Sequence, residues 1–264
     1  MILNGKEIEK LIKEKNIVNN FNLENIRSSY DITISNKALK FKTLDNEISL
    51  FDASKIENLY EEITIDNGYA LSPHESILLS LKESINLPNN ILAHIRPRTS
   101  FSRLGLLINF QHINPGYCGT LNILMYNVSP NSYKIFPNMN IGQLVLETLS
   151  SEVPEELLYF NEKTPVYQNE TGNRGSKIYA DFIGKVFRHY KGNYYFVENI
   201  SMNSETMEYM VVYKTLYNNE DSNLWVRPAT MFFEEIDPNL PNNITGQKHR
   251  FEIVNEIEKD YTKK

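Results

Sequence analysis

Residues 95–106 read IRPRTSFSRLGL, residues 112–127 read HINPGYCGTLNILMYN, and residues 139–147 read MNIGQLVLE. Apolar residues stand here in short runs, Leu121-Asn122-Ile123-Leu124 and Leu144-Val145-Leu146, broken by Pro, Asn and Gly. Runs of that length between turn residues are strand signals. The rhythm continues upstream in Ser29-Tyr30-Asp31-Ile32-Thr33-Ile34, Tyr69-Ala70-Leu71, Ile77-Leu78-Leu79 and Ile91-Leu92-Ala93. Many short strands at regular spacing predict a mainly β fold, a jelly roll or barrel. No long helical pattern alternates with them, which argues against a parallel α/β sheet. One short amphipathic helix is predicted over residues 3–15, with Ile8, Leu11 and Ile12 on one face.

Residues 164–176 (TPVYQNETGNRGS) are polar and contain two glycines, a composition that predicts a loop or mobile tail. Residues 182–236 form a second β-rich block in which aromatic and β-branched residues dominate. Turn residues, Lys191-Gly192-Asn193 and Asn218-Asn219, divide it. This predicts a small SH3-like barrel, hence two domains, 1–181 and 182–264. The charged end, residues 255–264, is expected to fray.

Composition narrows the function. The 264 residues are enough for two modest cores, and a net charge of −6 argues against broad binding of a nucleic-acid backbone. It leaves room for a local basic pocket holding one small molecule. The single cysteine, Cys118, rules out an internal disulfide and a Cys-rich zinc site, so a reducing cytoplasm is the natural setting. The first residues carry charges throughout, unlike a signal peptide, and no apolar run approaches membrane-spanning length.

Within residues 95–106, Arg98, Thr99 and Ser100 suit a phosphate ligand. A guanidinium makes bidentate charge-assisted bonds to phosphate oxygens, and hydroxyls with turn amides complete the cradle. The bland alternative for Arg98 is a structural arginine capping a turn.

The ordered motifs resemble those of the dCTP deaminase and trimeric dUTPase superfamily. MILNGKEIEKLIKE is similar to its opening helix, SSYDITI to its first core strand, and residues 71–88 to the strands leading into its phosphate motif. The tail, Tyr167-Gln168-Asn169-Glu170-Thr171-Gly172 with Ser176-Lys177, is similar to the family's closing segment. The resemblance spans residues 1–181. It implies a distorted jelly roll, a homotrimer with sites at subunit interfaces, and a deoxynucleoside triphosphate with Mg²⁺ on its phosphates. It assigns nucleotide contacts to Arg98, Thr99, Ser100, Arg103, Asn114, Tyr117, Gln143, Tyr167, Gln168, Gly172 and Lys177. Pro97 and Thr99 depart from the family's usual Gly and Ser around the arginine. For Arg103 the alternative is a surface ion pair. For Tyr117 a sugar contact and a barrel-core role stand level.

The chemistry is what the pattern lacks. The zinc cytidine deaminases need a Cys-rich ligand set that one cysteine cannot supply. The resembling deaminases place a glutamate ten residues beyond the hairpin Asp; counting from Asn114, that position is Leu124. Leucine cannot exchange a proton. The dUTPase branch uses the hairpin Asp as base, and Asn114 is a neutral amide that still hydrogen-bonds a hydroxyl. His112, two residues away on the same strand face, is a candidate substitute base or simply a wall residue. The segment between Gly105 and Asn114 is also shorter than the family's. Residues 184–251, with His189-Tyr190-Lys191-Gly192 and Trp225-Val226-Arg227-Pro228, resemble a small bacterial and phage domain of unknown function. Its Tyr, Trp and Arg suit either a ligand or protein surface or the barrel's own core. The expectation is a nucleotide-binding protein that sequesters or senses a nucleotide or nucleotide-derived signal, as in phage–host defence, without converting it. The alternative is an active dCTP deaminase or dUTPase.

Overall fold

The computed structural model describes residues 1–44, 48, 56, 58–161, 167–172, 175–177, 181–206 and 208–254. The expected loop therefore lies partly outside the described residues, and the charged end at 255–264 lies wholly outside them. The chain forms two compact units. The first comprises residues 1–42 and 60–175, the second residues 43–59 and 176–264.

The first unit opens with α1 (Gly5–Lys15). Asn4 caps it: its side chain accepts from the Lys6 and Glu7 amides, and the Glu7 carboxylate accepts from the Asn4 amide at 2.8 Å. This reciprocal capping box satisfies first-turn donors that the helix cannot. Ile8 and Ile12, one turn apart, are fully buried, and Leu11 packs partly against the same core. Asn16 ends the helix with a left-handed backbone, φ 50°.

The strands that follow are β1 (Val18–Asn19), β2 (Tyr30–Phe41), β3 (Tyr60–Thr64), β4 (Tyr69–Leu71), β5 (Ser76–Asn86) and β6 (Ile91–Pro97). A five-residue helix, α2 (Thr99–Arg103), precedes β7 (Leu106–Ile108), β8 (Gln111–Ile113), β9 (Cys118–Asn127), β10 (Tyr133–Ile135) and β11 (Asn140–Thr148). The main sheet runs β7-β9-β5-β2-β11-β6-β8, with β1 added on β5 and β3 on β2; β4 and β10 pair separately. Every pairing is antiparallel. One face of each strand feeds a continuous core that includes Tyr30, Ile32, Ile34, Leu79, Ile95 and Leu144.

One carboxylate is enclosed in that core. Glu83, 1% exposed, accepts from the Thr33 amide at 3.0 Å, the Thr33 hydroxyl at 2.8 Å and the Tyr30 hydroxyl at 3.4 Å. Burial pushes its pKa above the ordinary glutamate range, and the Thr33 bonds offset part of the rise.

The second unit contains β12 (Val186–His189), β13 (Tyr194–Met202), β14 (Tyr209–Thr215), β15 (Leu224–Pro228), α3 (Ala229–Phe232) and β16 (Phe251–Val254). Its antiparallel sheet runs β15-β14-β13-β12-β16, so the last strand returns to pair with the first. That connectivity, with a helical turn before the final strand, is the expected SH3-like arrangement. Its core is aromatic: Phe187, Phe232 and Phe251 are at most 1% exposed, and the Phe232 and Phe251 rings stack at 4.0 Å. Among the described residues, no helix is long and apolar enough to cross a membrane.

Candidate functional site

Two of the predicted phosphate residues, Arg98 and Gln143, converge on a buried carboxylate. β6 ends at Pro97, and the Arg98 amide donates to the Ile141 carbonyl at 3.2 Å, so the chain turns into α2 beside β11. The turn is close. A Cβ on Gly142, the pairing partner of Pro97, would stand 3.0 Å from the Arg96 carbonyl oxygen. In β11, Gln143 lies opposite Asp31 of β2 on one side and Arg96 of β6 on the other. The Gln143 Nε2 donates to Asp31 Oδ1 at 3.4 Å. Arg98 Nη1 is 3.9 Å and Arg27 Nε 3.8 Å from Asp31 Oδ2. These separations are Coulombic proximity more than hydrogen bonds. They hold Arg98 at the rim while leaving its guanidinium 43% exposed.

Thr99, Ser100 and Arg103 are exposed on α2, which Phe101 anchors in the core. The Thr99 and Ser100 hydroxyls make no hydrogen bond among the described residues. Arg103 has no ion pair among them either, so the surface-pair alternative is not the arrangement observed. Pro97, which cannot donate, sits where the strand ends.

A second group forms around the hairpin after β8. The Tyr117 amide closes a turn on the Asn114 carbonyl at 3.2 Å, with Gly116 at φ 82°. Asn114 is half-buried, and its side-chain amide bonds to nothing among the described residues. Tyr117 is 4% exposed, edge-on to Tyr159 at 5.5 Å, which is the packing of a core tyrosine. Burial first, and the Glu170 charge second, raise its pKa. Leu124 lies in β9 opposite Leu78. Its amide donates to Asn109 Oδ1 at 2.8 Å, and its carbonyl accepts from the Asn109 amide at 3.2 Å. Pinned on both edges, β9 cannot slip to present another side chain at this position.

The tail docks on this hairpin. Gln168 Oε1 accepts from the Cys118 amide at 3.1 Å, and its Nε2 donates to the Gly116 carbonyl at 3.3 Å. The Thr120 amide donates to the Glu170 carbonyl at 2.7 Å, and Gly119, with φ 147°, brings its backbone against Glu170. Both ends of the Gln168 amide are thereby committed to backbone, so this predicted ligand contact is in the chain a clamp. The Gly172 carbonyl lies 3.5 Å from Asn122 Nδ2. Tyr167, 37% exposed, donates its backbone amide to the Tyr159 hydroxyl. Lys177 falls in the second unit.

His112 is not part of that hairpin contact set. It pairs with His94 across β8 and β6, ring centroids 4.9 Å apart, and His94 Nε2 is 3.6 Å from Glu147. His112 itself is exposed. No hydrogen bond or ion pair joins the phosphate group to the hairpin group among the described residues. Nor are three or more His, Cys, Asp or Glu residues among them placed to hold a metal.

Sequence reading passed over Asp31, Asn109 and Glu170. Asp31 had a signal: a lone carboxylate inside the apolar run of β2 needs a cationic or amide partner. Asn109 and Glu170 had none, because each acts through a turn that composition does not specify.

Residues 2–149 match the family described as dCTP deaminase-like. The chain belongs to the dCTP deaminase-like family. It is 32% identical over 202 residues to a dCTP deaminase, dUMP-forming, of Nanoarchaeum equitans, covering 69% of this chain and 100% of that protein. Identity is 28% over 193 residues with the protein of that name in Dictyoglomus turgidum, covering 70% and 98%. A solved 2'-deoxycytidine 5'-triphosphate deaminase from Agrobacterium tumefaciens is similar at TM-score 0.47 and 18% identity, over 56% of this chain and 48% of that one. Residues 185–252 match a protein family of unknown function, DUF1653. The dCTP deaminase-like unit is therefore a scaffold of nucleotide metabolism, joined to a separate domain.

Proposed function

We propose that this protein binds a nucleotide on a dCTP deaminase-like scaffold without turning it over. The nucleotide-binding domain is taken as residues 1–181, with 182–264 as the second domain. The observation that carries the reading is Leu124, fixed by pairing on both edges of β9 where the resembling deaminases hold their proton-shuttling glutamate. Losing a positioned acid/base costs about 10²–10⁴ in rate. Asn114 removes the second carboxylate and keeps a free amide suited to a sugar hydroxyl.

Binding capacity is supported separately. Arg98, Thr99, Ser100 and Arg103 present exposed donors within one short stretch, half-buried Gln143 stands beside Arg98's strand end, and Asp31 anchors Arg98 and Gln143. Mg²⁺, when bound, neutralises charge on the ligand's phosphate oxygens; the chain's part is to hold those phosphates. Among the described residues no hydrogen bond or ion pair joins the phosphate and hairpin groups, which fits a homotrimer whose sites draw one group from each of two neighbours. A protein that binds and does not convert would sequester or sense its nucleotide, or a signal derived from one, in the cytoplasm.

One observation favours the second reading, an active deaminase or dUTPase with a relocated carboxylate. Glu170 is 8% exposed and raises the Tyr117 pKa by its charge, so a carboxylate does stand beside the hairpin. The test is incubation of the purified chain with dCTP, dUTP and a wider nucleotide panel in Mg²⁺, separating bound from converted species. Retained, unconverted nucleotide is expected. Conversion at an enzymatic rate that Glu170→Gln abolishes would establish the second reading.

A further inference from the structure

The two motifs of the second unit converge at one end of its sheet. His189 lies opposite Phe251, Phe187 opposite Tyr195, Tyr195 opposite Thr215, and Tyr213 opposite Trp225. Opposed residues share a face, and alternate residues along a strand do too. His189, Tyr195, Tyr213, Thr215, Trp225, Arg227 and Phe251 therefore occupy one face. Ring centroids of Tyr195 lie 5.3 Å from Phe251, 5.5 Å from Tyr213 and 5.7 Å from Tyr217, and the Tyr195 and Tyr217 hydroxyls are 3.0 Å apart.

Part of this cluster is core, and part is not spent on the fold. Trp225 is 37% exposed, and Tyr195, Tyr217 and Arg227 are half-buried. Arg227 donates Nε to the Tyr213 hydroxyl at 3.3 Å and lies over the Phe251 ring, but pairs with no carboxylate among the described residues. Its two terminal nitrogens are left over. The exposed Lys191 donates its amide to His189 Nδ1 at 3.3 Å. The neutral ring then carries its proton on Nε2, which makes no hydrogen bond among the described residues and keeps access to solvent although most of the His189 ring is buried. Thr215 Oγ1, on the same face, is a buried polar atom without a partner. Buried donors in a purely structural cluster are normally satisfied. Arg250, Arg227 and Lys191 all act on His189 through their positive charge, and among the described residues only Arg250 pairs with a carboxylate, Glu234.

We propose that this face of the second unit binds a small planar anion, one aromatic or heteroaromatic ring bearing a single phosphate or carboxylate. Arg227, Lys191 and the His189 Nε2–H hold the anionic group, and Trp225, Tyr195 and Tyr217 hold the ring. A guanidinium with free terminal nitrogens is a fork for such a group, and tyrosine and indole faces accept a flat ring. The same unneutralised charges disfavour an ammonium ligand. Acidic residues outnumber basic ones across 176–264, which disfavours a long polyanion.

Trp225 is the chain's only tryptophan, so its emission reports this face alone. The full chain is titrated with phenyl phosphate, benzoate, uridine monophosphate and inorganic phosphate. A saturable change is expected with at least one ring-bearing anion. Inorganic phosphate should bind about tenfold or more weakly, because it lacks the ring. The ranking of benzoate, phenyl phosphate and the nucleotide identifies the source of the anion. Arg227→Gln should shift the midpoint about tenfold. Arg227 also bonds Tyr213, so Lys191→Gln, changed at an exposed side chain, provides a second variant that keeps the fold, with a several-fold shift expected. No saturable change with any ring-bearing anion, inorganic phosphate binding as tightly as they do, or an unmoved midpoint in Lys191→Gln overturns the proposal.

Discussion

Gln143 and Asp31 stand directly opposite each other where β11 pairs with β2, and the glutamine amide reaches the buried carboxylate at 3.4 Å. Arg98 approaches the other oxygen of the same carboxylate. The two predicted phosphate ligands thus share one support, which itself stays out of solvent. Asp31→Ala should weaken nucleotide binding although Asp31 would repel a phosphate if it touched one. The expected loss is about 1–2 kcal/mol by calorimetry, from Arg98 and Gln143 losing their common anchor. Tighter binding in Asp31→Ala would show that the carboxylate opposes the ligand instead.

Arg98→Ala removes a charge-assisted contact and should cost about 1.5–3 kcal/mol of nucleotide affinity. Calorimetry on the two proteins decides it, and equal affinities would remove Arg98 from the site. Asp31→Ala and Arg98→Ala should be less than additive, since both act through one guanidinium.

Asn114→Asp with Leu124→Glu should restore measurable deamination or hydrolysis, read by chromatography of dCTP and dUTP. A positioned acid/base acts once the surrounding geometry exists. The gain should need Glu at 124 for deamination, because Asp at 114 alone supplies only the base of the dUTPase branch. Identical product profiles in the double variant and its parent would count against the register assigned to Leu124.

Much of this fold is legible in the sequence. Antiparallel strands of alternating burial follow from the apolar runs, and α1 from the spacing of Ile8, Leu11 and Ile12; its Asn4–Glu7 capping box is a finding of the structure. The SH3-like second unit follows from its turn residues, and its helix α3 and return strand β16 do not, being four residues each. The phosphate group was legible because charge and hydroxyls cluster in sequence. The Gln168 clamp was not: an amide in a polar loop carries no sign of whether it meets a ligand or its own backbone. Tyr117 was undecidable for the same reason, since only packing separates a core ring from a sugar platform.

Glu83 gives the first unit a pH signature. Its pKa is raised in the folded state, so the native chain holds its proton more tightly than the unfolded chain. The associated stability is fully present below the ordinary glutamate pKa and declines as pH rises through the raised one. Glu83→Gln keeps an acceptor for the Thr33 amide and should flatten that decline in urea melts at several pH values. Glu83→Ala leaves the Thr33 amide and hydroxyl unpaired and should cost about 1–3 kcal/mol at any pH.

His189 gives the second unit the opposite signature. Burial, then the Arg250, Arg227 and Lys191 charges, lower its pKa from 6.5 to about 4. The folded unit therefore favours the neutral ring. The stability this confers is complete above the unfolded pKa and is lost as pH falls from about 6.5 towards about 4, up to about 3 kcal/mol. Urea melts followed by Trp225 emission should show it, and His189→Gln should abolish the acid-side loss. An unchanged acid-side slope in His189→Gln would assign the loss to other groups.

The opening segment returns across the whole first unit: the Leu3 amide donates to the Leu146 carbonyl at 2.9 Å, and Ile2 bridges to Glu147. On a ribosome that contact has to wait. Residues 2 and 3 are made before residues 146 and 147 and stay unpaired until β11 has cleared the exit tunnel, so this contact closes late. Long-range closure of this kind makes for slow folding. A ribosome stall just before residue 146 would leave residues 2 and 3 without their partner strand.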